Sequence, residues 1–303
     1  MSGRNRSLRL RGVLTALVTP FAEDGSVDVA ALERLVEWQI GSGILGLVPC
    51  GTTGEGATLL PEEHAQVIAT VARVAAGRVP VVAGCGTNDT RTTIAGAKRA
   101  VAAGANALLV VTPYYNKPNR SGMIAHFEAV AGSVDVPIVP YNVPGRTGQN
   151  LGAELILRLA EIPGVVGVKE AAADLEQLSA IVAARPPGFA VLSGDDALAL
   201  PAMAMGADGL VSVVSNEAPA ETAAMIAAME ASDLAVARRI HYRLAPLMRT
   251  NFAETNPVPV KAALALLGRC RGAVRAPLGP PEASTRQAIA VALDKAGLTG
   301  ASA

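Results

Sequence analysis

The sequence predicts an α/β protein, a (β/α)8 TIM barrel with a C-terminal helical region, and three features carry that prediction. Eight short runs rich in Val, Leu, Ile and Ala recur along the chain without clean alternation, as expected of parallel strands covered on both faces. Stretches of helical periodicity separate them. Glycines fall where a helix should stop and a strand begin, in Gly43-Ile44-Leu45-Gly46-Leu47, Gly104-Ala105-Asn106-Ala107-Leu108 and Gly206-Ala207-Asp208-Gly209-Leu210. Glycine takes the left-handed, helix-terminating conformation without a Cβ penalty.

In chain order the strand runs are Val13–Val18, Leu45–Pro49, Val79–Ala83, Ala107–Thr112, Pro137–Asn142, Val165–Glu170, Ala190–Ser193 and Gly209–Val214. Between the first two, Asp28 is placed to cap a helix whose apolar stripe is Leu32, Leu35, Val36 and Ile40. A similar start, Asn88-Asp89-Thr90, precedes Ile94, Ala97 and Val101. No G-x-G-x-x-G follows the first strand, which disfavours a doubly wound dinucleotide fold. Beyond about Ala231 helical periodicity continues without a strand signal. The expected organisation is therefore a tail over residues 1–11, a barrel over 12–230 and a helical region over 231–303.

Composition narrows the function. Half the residues are apolar and 17% are charged, enough for a large core and against disorder. A formal net charge of zero, with no basic stripe beside aromatics, argues against nucleic acid as a partner. No apolar run approaches the ~20 residues of a membrane span. The arginines at positions 4, 6, 9 and 11 read as part of a solvated tail, not a transit peptide. Cys50, Cys85 and Cys270 show no paired spacing, which fits a reducing cytoplasm better than a disulfide framework or a zinc site. His64, His126 and His241 lie in helical stretches without metal-ligand spacing, so neither a metal nor an organic cofactor is expected. No nucleophile elbow and no P-loop is present.

In a barrel of this kind the catalytic residues sit at the C-terminal ends of the strands. Lys169 ends the sixth run, Val165-Val166-Gly167-Val168-Lys169-Glu170, in a chain that has only five lysines among its 26 basic residues. A buried ammonium without a partner costs several kcal/mol in practice, and the usual escape is loss of the proton. A neutral lysine amine condenses with carbonyls to give a Schiff base, so Lys169 is the candidate nucleophile. Lys98, Lys117, Lys261 and Lys295 read as solvated surface residues. After the second strand, Gly51-Thr52-Thr53-Gly54-Glu55 is either an ordinary βα turn or a cradle whose amides and hydroxyls hold a small carboxylate. Tyr114-Tyr115 after the fourth strand would pack in an interface, act in a site, or both. The fifth strand ends in Tyr141-Asn142-Val143-Pro144-Gly145-Arg146-Thr147-Gly148, which offers a phenol for proton relay. Its arginine is either a surface residue or a carboxylate clamp. Gly194 after the seventh strand and Gly209-Leu210-Val211-Ser212 in the eighth can bring backbone close to a small ligand.

The ordered set G-T-T-G-E, Y-Y-N-K-P, Y-N-V-P-G-R-T-G, V-G-V-K-E and S-G-D-D resembles the dihydrodipicolinate synthase family from about Gly12 to the Asn256–Lys261 stretch. The resemblance implies a pyruvate-dependent lyase on a (β/α)8 barrel that condenses pyruvate with L-aspartate 4-semialdehyde. It further implies a cytoplasmic homotetramer built as a dimer of dimers, and a product on the route to diaminopimelate and lysine. By the same resemblance Lys169 would form the imine and Tyr141 would be the general acid/base. Thr52 would link Tyr141 to Tyr115, the latter reaching in from a neighbouring subunit. Thr53 would hold pyruvate's carboxylate, Arg146 the carboxylate of the second substrate, and Gly194 and Val211 would line the pyruvate pocket. The rival readings are another pyruvate-dependent aldolase, taking a sugar-derived aldehyde as N-acetylneuraminate lyase or 2-keto-3-deoxy sugar acid aldolases do, and a catalytically silent ligand-binding member. Arg146 favours the acidic aldehyde, and the joint presence of Thr52, Tyr115, Tyr141 and Lys169 disfavours the silent member. His64, Asn88 and Tyr114 match a lysine-binding cleft of feedback-sensitive members, whereas Pro61 and Thr92 depart from it. Thr92 replaces a carboxylate that would pair with the ligand's ammonium, so weak inhibition by L-lysine is expected.

Overall fold

Eight parallel strands close around a packed interior in the computed structural model of the chain, which describes residue 8 and residues 10–299. They are β1 (Gly12–Ala16), β2 (Gly46–Val48), β3 (Val82–Gly84), β4 (Ala107–Val111), β5 (Ile138–Asn142), β6 (Gly167–Glu170), β7 (Ala190–Ser193) and β8 (Gly209–Ser212). The hydrogen-bonded order β2-β1-β8-β7-β6-β5-β4-β3 is closed by a parallel bridge between Leu47 and Val81 and by the Gly84 N–H donating to the Pro49 carbonyl. The predicted barrel is thus present, strand for strand. Boundaries shift where the backbone demands it. The third strand starts at Val82 and not Val79, because Pro80 has no N–H to give a ladder. Gly43, Gly104 and Gly206 all take positive φ (+89°, +101° and +100°), which is the helix-ending role predicted for them.

Helices cover the outside. The first, α1 (Val29–Gly41), is capped by Asp28, whose carboxylate accepts from the Ala31 N–H, and it buries Leu32, Leu35 and Val36. The others are α2 (Pro61–Ala75), α3 (Thr90–Ala102), α4 (Arg120–Gly132), α5 (Pro144–Thr147), α6 (Gly152–Leu159), α7 (Leu175–Ala184), α8 (Ala199–Ala204) and α9 (Pro219–Glu230). On α3 the buried face runs through Thr93, Gly96, Ala97 and Ala100, with Ile94 and Val101 only half-buried. Small residues let that helix sit close to the strands, so the larger apolar side chains lie at its flanks.

Two apolar layers result. One fills the barrel and includes Leu14, Val48, Leu109, Val139, Tyr141, Leu192 and Val211; the other, larger layer lies between strands and helices. Three further helices follow: α10 (Leu234–Thr250), which packs on α9, α11 (Val258–Leu266) and α12 (Ala283–Lys295). Of the expected N-terminal tail, residues 1–7 and 9 lie outside the described residues. Among the described residues no helix is long and apolar enough to cross a membrane. Nor does any group of three or more His, Cys, Asp and Glu among them have the arrangement to hold a metal ion.

Candidate active site

Tyr141 and Lys169 are direct partners in the β5–β6 register, so the pleat turns both toward the barrel interior. Both are buried, and the Lys169 Nζ lies 4.1 Å from the centroid of the Tyr141 ring. The following residues, Asn142 and Glu170, also pair in register and point the other way. The Asn142 amide donates to both Glu170 oxygens at 3.1 and 2.9 Å, and Ala172 N–H and Gln177 Nε2 donate to the same carboxylate at 2.7 and 3.1 Å. Burial pushes the Glu170 carboxyl above its usual range, against these hydrogen bonds. The pair staples the two strand ends that carry the phenol and the amine. The only sequence signal for this pair is the alternation of a strand, which puts a polar residue behind each candidate.

Gly194 makes room for the amine's stem. A Cβ at this position would stand 2.7 Å from the Ala171 Cβ and 3.0 Å from the Lys169 Cε. The Gly194 N–H donates to the Glu170 carbonyl at 2.7 Å, which holds the end of β7 against that of β6. Val211, opposite Leu14 in the register, is buried in the interior layer. Asp196 is buried behind the end of β8, where it accepts from the Ser212 hydroxyl at 2.6 Å and from the Val213 and Val214 N–H groups at 3.0 and 2.9 Å. Burial raises its carboxyl to about 6 in spite of these donors.

The turn after β2 is tightly folded. A Cβ on Gly54 would meet the Cys50 nitrogen at 2.8 Å and the Leu17 carbonyl at 2.9 Å, so only glycine fits. Thr53 is buried, and its hydroxyl accepts from the Asn256 amide at 3.0 Å. Thr52 is half-buried beside it. Arg146, on the single turn α5, is exposed, and its Nη2 donates to the Asn256 carbonyl at 3.4 Å. Asn256 therefore touches both candidate carboxylate-binding residues. Its position between the α10 and α11 helical stretches gave no sign of this in the sequence.

Tyr115 is not gathered in. It is 89% exposed at a φ of +71°, and among the described residues no hydrogen bond joins the Thr52, Tyr115 and Tyr141 hydroxyls within one chain. Tyr114 is 38% exposed on the same loop. In the cleft compared with lysine-binding members, the His64 Nε2 lies 2.7 Å from the Gly84 carbonyl, and burial lowers the affinity of the imidazole for a proton. The Thr92 N–H and hydroxyl both donate to one Asp89 oxygen, at 2.8 and 2.7 Å, so neither is free for a ligand.

One expectation is overturned. Lys261 is not a solvated surface residue but fully buried, paired to Glu55 at 2.6 Å and donating to the Thr19 carbonyl at 2.9 Å. Burial pulls its amine below the usual lysine range, with Glu55 opposing the shift. The signal was in the sequence: Val258-Pro259-Val260-Lys261-Ala262-Ala263-Leu264 is apolar all round, and such a helix is buried.

The arrangement can do four things: add an amine to a carbonyl at Lys169, exchange protons at Tyr141, receive a small carboxylate at the Thr52–Thr53 turn, and meet an anion at Arg146 on the rim. The chain's likeness to known proteins agrees with this chemistry. A family model described as the dihydrodipicolinate synthetase family matches residues 9–296. The 4-hydroxy-tetrahydrodipicolinate synthase of Koribacter versatilis is 49% identical over 96% of this chain and 97% of its own. The dihydrodipicolinate synthase structure from Thermotoga maritima superposes with a TM-score of 0.93 at 41% identity, covering 95% of this chain and 99% of that one. The chloride-inhibited dihydrodipicolinate synthase of Acinetobacter baumannii, complexed with pyruvate, gives 0.93 at 44%, covering 96% and 100%.

Proposed function

The chain belongs to the dihydrodipicolinate synthetase family, and on that premise we propose that it condenses pyruvate with L-aspartate 4-semialdehyde through an imine on Lys169. The observation that carries this reading is the Lys169–Tyr141 pair, an amine against a phenol on adjacent strand ends in direct register. The amine adds to the keto carbon and water leaves, forming the imine. The imine withdraws electrons from the methyl group, which gives up a proton to leave an enamine. The enamine carbon then forms the new bond to the aldehyde. Tyr141 hands protons to and from these centres without leaving a charge buried.

Thr53 and the neighbouring amides receive pyruvate's carboxylate, and Gly194 and Val211 bound the small pocket around its methyl end. Thr52 passes protons between Tyr141 and Tyr115 of a second copy. An exposed tyrosine in a left-handed loop conformation supports that role, because its ring finds no apolar surface in its own chain. The assembly is a homotetramer in the cytoplasm. Borohydride reduction in the presence of pyruvate, followed by peptide mass analysis, tests the reading: an adduct missing, or on a lysine other than Lys169, sinks it.

Arg146 sets the second substrate. A guanidinium clamp on the aldehyde's carboxylate predicts that Arg146→Ala raises KM for the semialdehyde about 10- to 100-fold, the worth of a charged hydrogen bond of ~1.5–3 kcal/mol. Pyruvate trapping should be unchanged. A variant that keeps its KM, or that prefers uncharged sugar aldehydes no more than the wild type, removes Arg146 from the role. L-lysine at sub-millimolar concentration is expected to leave the coupled assay nearly unaffected, since Thr92 offers no carboxylate to its ammonium. Strong inhibition at that concentration counts against this account of the cleft.

A further inference from the structure

We infer that Lys261 and Glu55 are positioning residues that hold the Gly51–Gly54 turn in register to receive pyruvate's carboxylate. The inference rests on the proposed role of that turn. The turn is flanked by two non-glycine residues in the left-handed conformation, Cys50 (φ 57°) and Glu55 (φ 52°). Side chains disfavour that conformation, so the turn has to be held from outside. Its own bonds are few: the Glu55 N–H donates to the Thr52 carbonyl and the Gly56 N–H to the Gly51 carbonyl, each at 3.1 Å.

The grip comes from elsewhere in the chain. The Glu55 carboxylate reaches away from the turn and accepts from the Lys261 Nζ at 2.6 Å and from the Arg275 N–H at 2.9 Å. The same Nζ donates to the Thr19 carbonyl at 2.9 Å, and the Thr19 hydroxyl donates to the Gly54 carbonyl at 2.7 Å. One ammonium on α11 thus ties the loop after β1 and the turn after β2 together at the mouth of the barrel. Five residues before Lys261, Asn256 holds Thr53 itself, its amide donating to the Thr53 hydroxyl at 3.0 Å. The ion pair is fully buried, and well-packed apolar residues of similar volume can be as stable or more so. What such residues lack is direction: two oxygens fixed by two donors set both the position and the rotation of the turn.

Pyruvate's carboxylate is not the reacting group, so what Thr53 and the turn's amides contribute is equal in the ground state and the transition state. Loosening the turn should raise KM for pyruvate, and kcat should fall only so far as Thr52, on the same turn, loses its place in the proton relay. The double variant Glu55→Gln/Lys261→Met removes both charges together and keeps the shapes. In the full-length chain it is expected to melt closer to the wild type than Glu55→Gln alone does, the remaining loss being the donor to the Thr19 carbonyl. Its half-saturating pyruvate, read from borohydride-trapped adduct mass and from steady-state KM, should rise about tenfold, a larger change than any fall in kcat that comes from displacing Thr52. Wild-type half-saturation in the double variant overturns the inference and makes the pair purely structural. A fall in kcat with unchanged pyruvate half-saturation overturns it equally. Wild-type protein that traps no pyruvate at all would instead refute the reading of the site. If the double variant does not fold, Glu55→Asp carries the same criterion, since it keeps the charge but shortens the arm by one methylene.

Discussion

Lys169→Met should lower kcat at least about a thousandfold while the protein stays folded, because the methionine cannot form the imine on which every later step depends. The substitution is chosen for its shape. Methionine keeps the unbranched stem that runs beside the Tyr141 ring and into the space Gly194 leaves open, and it removes only the amine. Far-ultraviolet circular dichroism and melting should match the wild type. Borohydride with pyruvate should leave its mass unchanged, whereas the wild type gains one adduct. Free pyruvate would still enter, since the turn at Thr53 and the pocket around Val211 are untouched. Its methyl group, without the electron sink, keeps its proton near neutral pH, so Tyr141 has nothing useful to remove. A variant within about tenfold of wild-type kcat would show that the amine is not the nucleophile.

The barrel and the residues on its strand ends were legible because they obey local rules. Continuous apolar runs, glycine stops and the cap at Asp28 are each written within a few neighbouring residues. The strand ends also placed Lys169, Tyr141 and Gly194 at one mouth of the barrel, while the roles expected of Tyr141 and Gly194 came from the family resemblance. What was not legible is what depends on distant chain coming back. Asn256 reaches Thr53, 203 residues earlier, and Lys261 reaches Glu55 at a separation of 206. Neither spacing carries a pattern. Lys261 did carry a local warning, a charge inside a helix with no polar face. Tyr115 shows the opposite limit: its loop was visible in the sequence, but within one chain its side chain stays exposed.

The buried pair also makes a large prediction about stability. Glu55→Gln preserves shape but leaves the Lys261 ammonium without its carboxylate, at a site with no solvent access. Breaking a buried pair from one side typically costs about 3–5 kcal/mol. A Tm lower by roughly 6–20 °C at pH 7 is therefore expected, taking about 2–4 °C per kcal/mol for a chain of this order of size. The pH dependence identifies the cause. Burial already pulls the Lys261 amine below its usual range, and Glu55 is the first influence opposing that pull. With the carboxylate gone the folded-state value falls further below the unfolded one. The unfolded chain then binds the proton that the folded chain releases, so stability rises with pH across that interval. The deficit of Glu55→Gln should accordingly be greatest near neutral pH and shrink as the buffer is taken toward pH 9–10, where the unfolded lysine, at ~10.4, also begins to lose its proton. A deficit that stays constant with pH would mean that lost packing, and not a stranded charge, is what destabilises the variant. Adding Lys261→Met should recover most of the deficit and remove its pH dependence, because nothing charged is then left behind and only the Thr19 carbonyl loses its donor. The melting curve and the pyruvate half-saturation consequently part company in the double variant: most of the stability returns when the charges go together, but the direction they gave the turn does not.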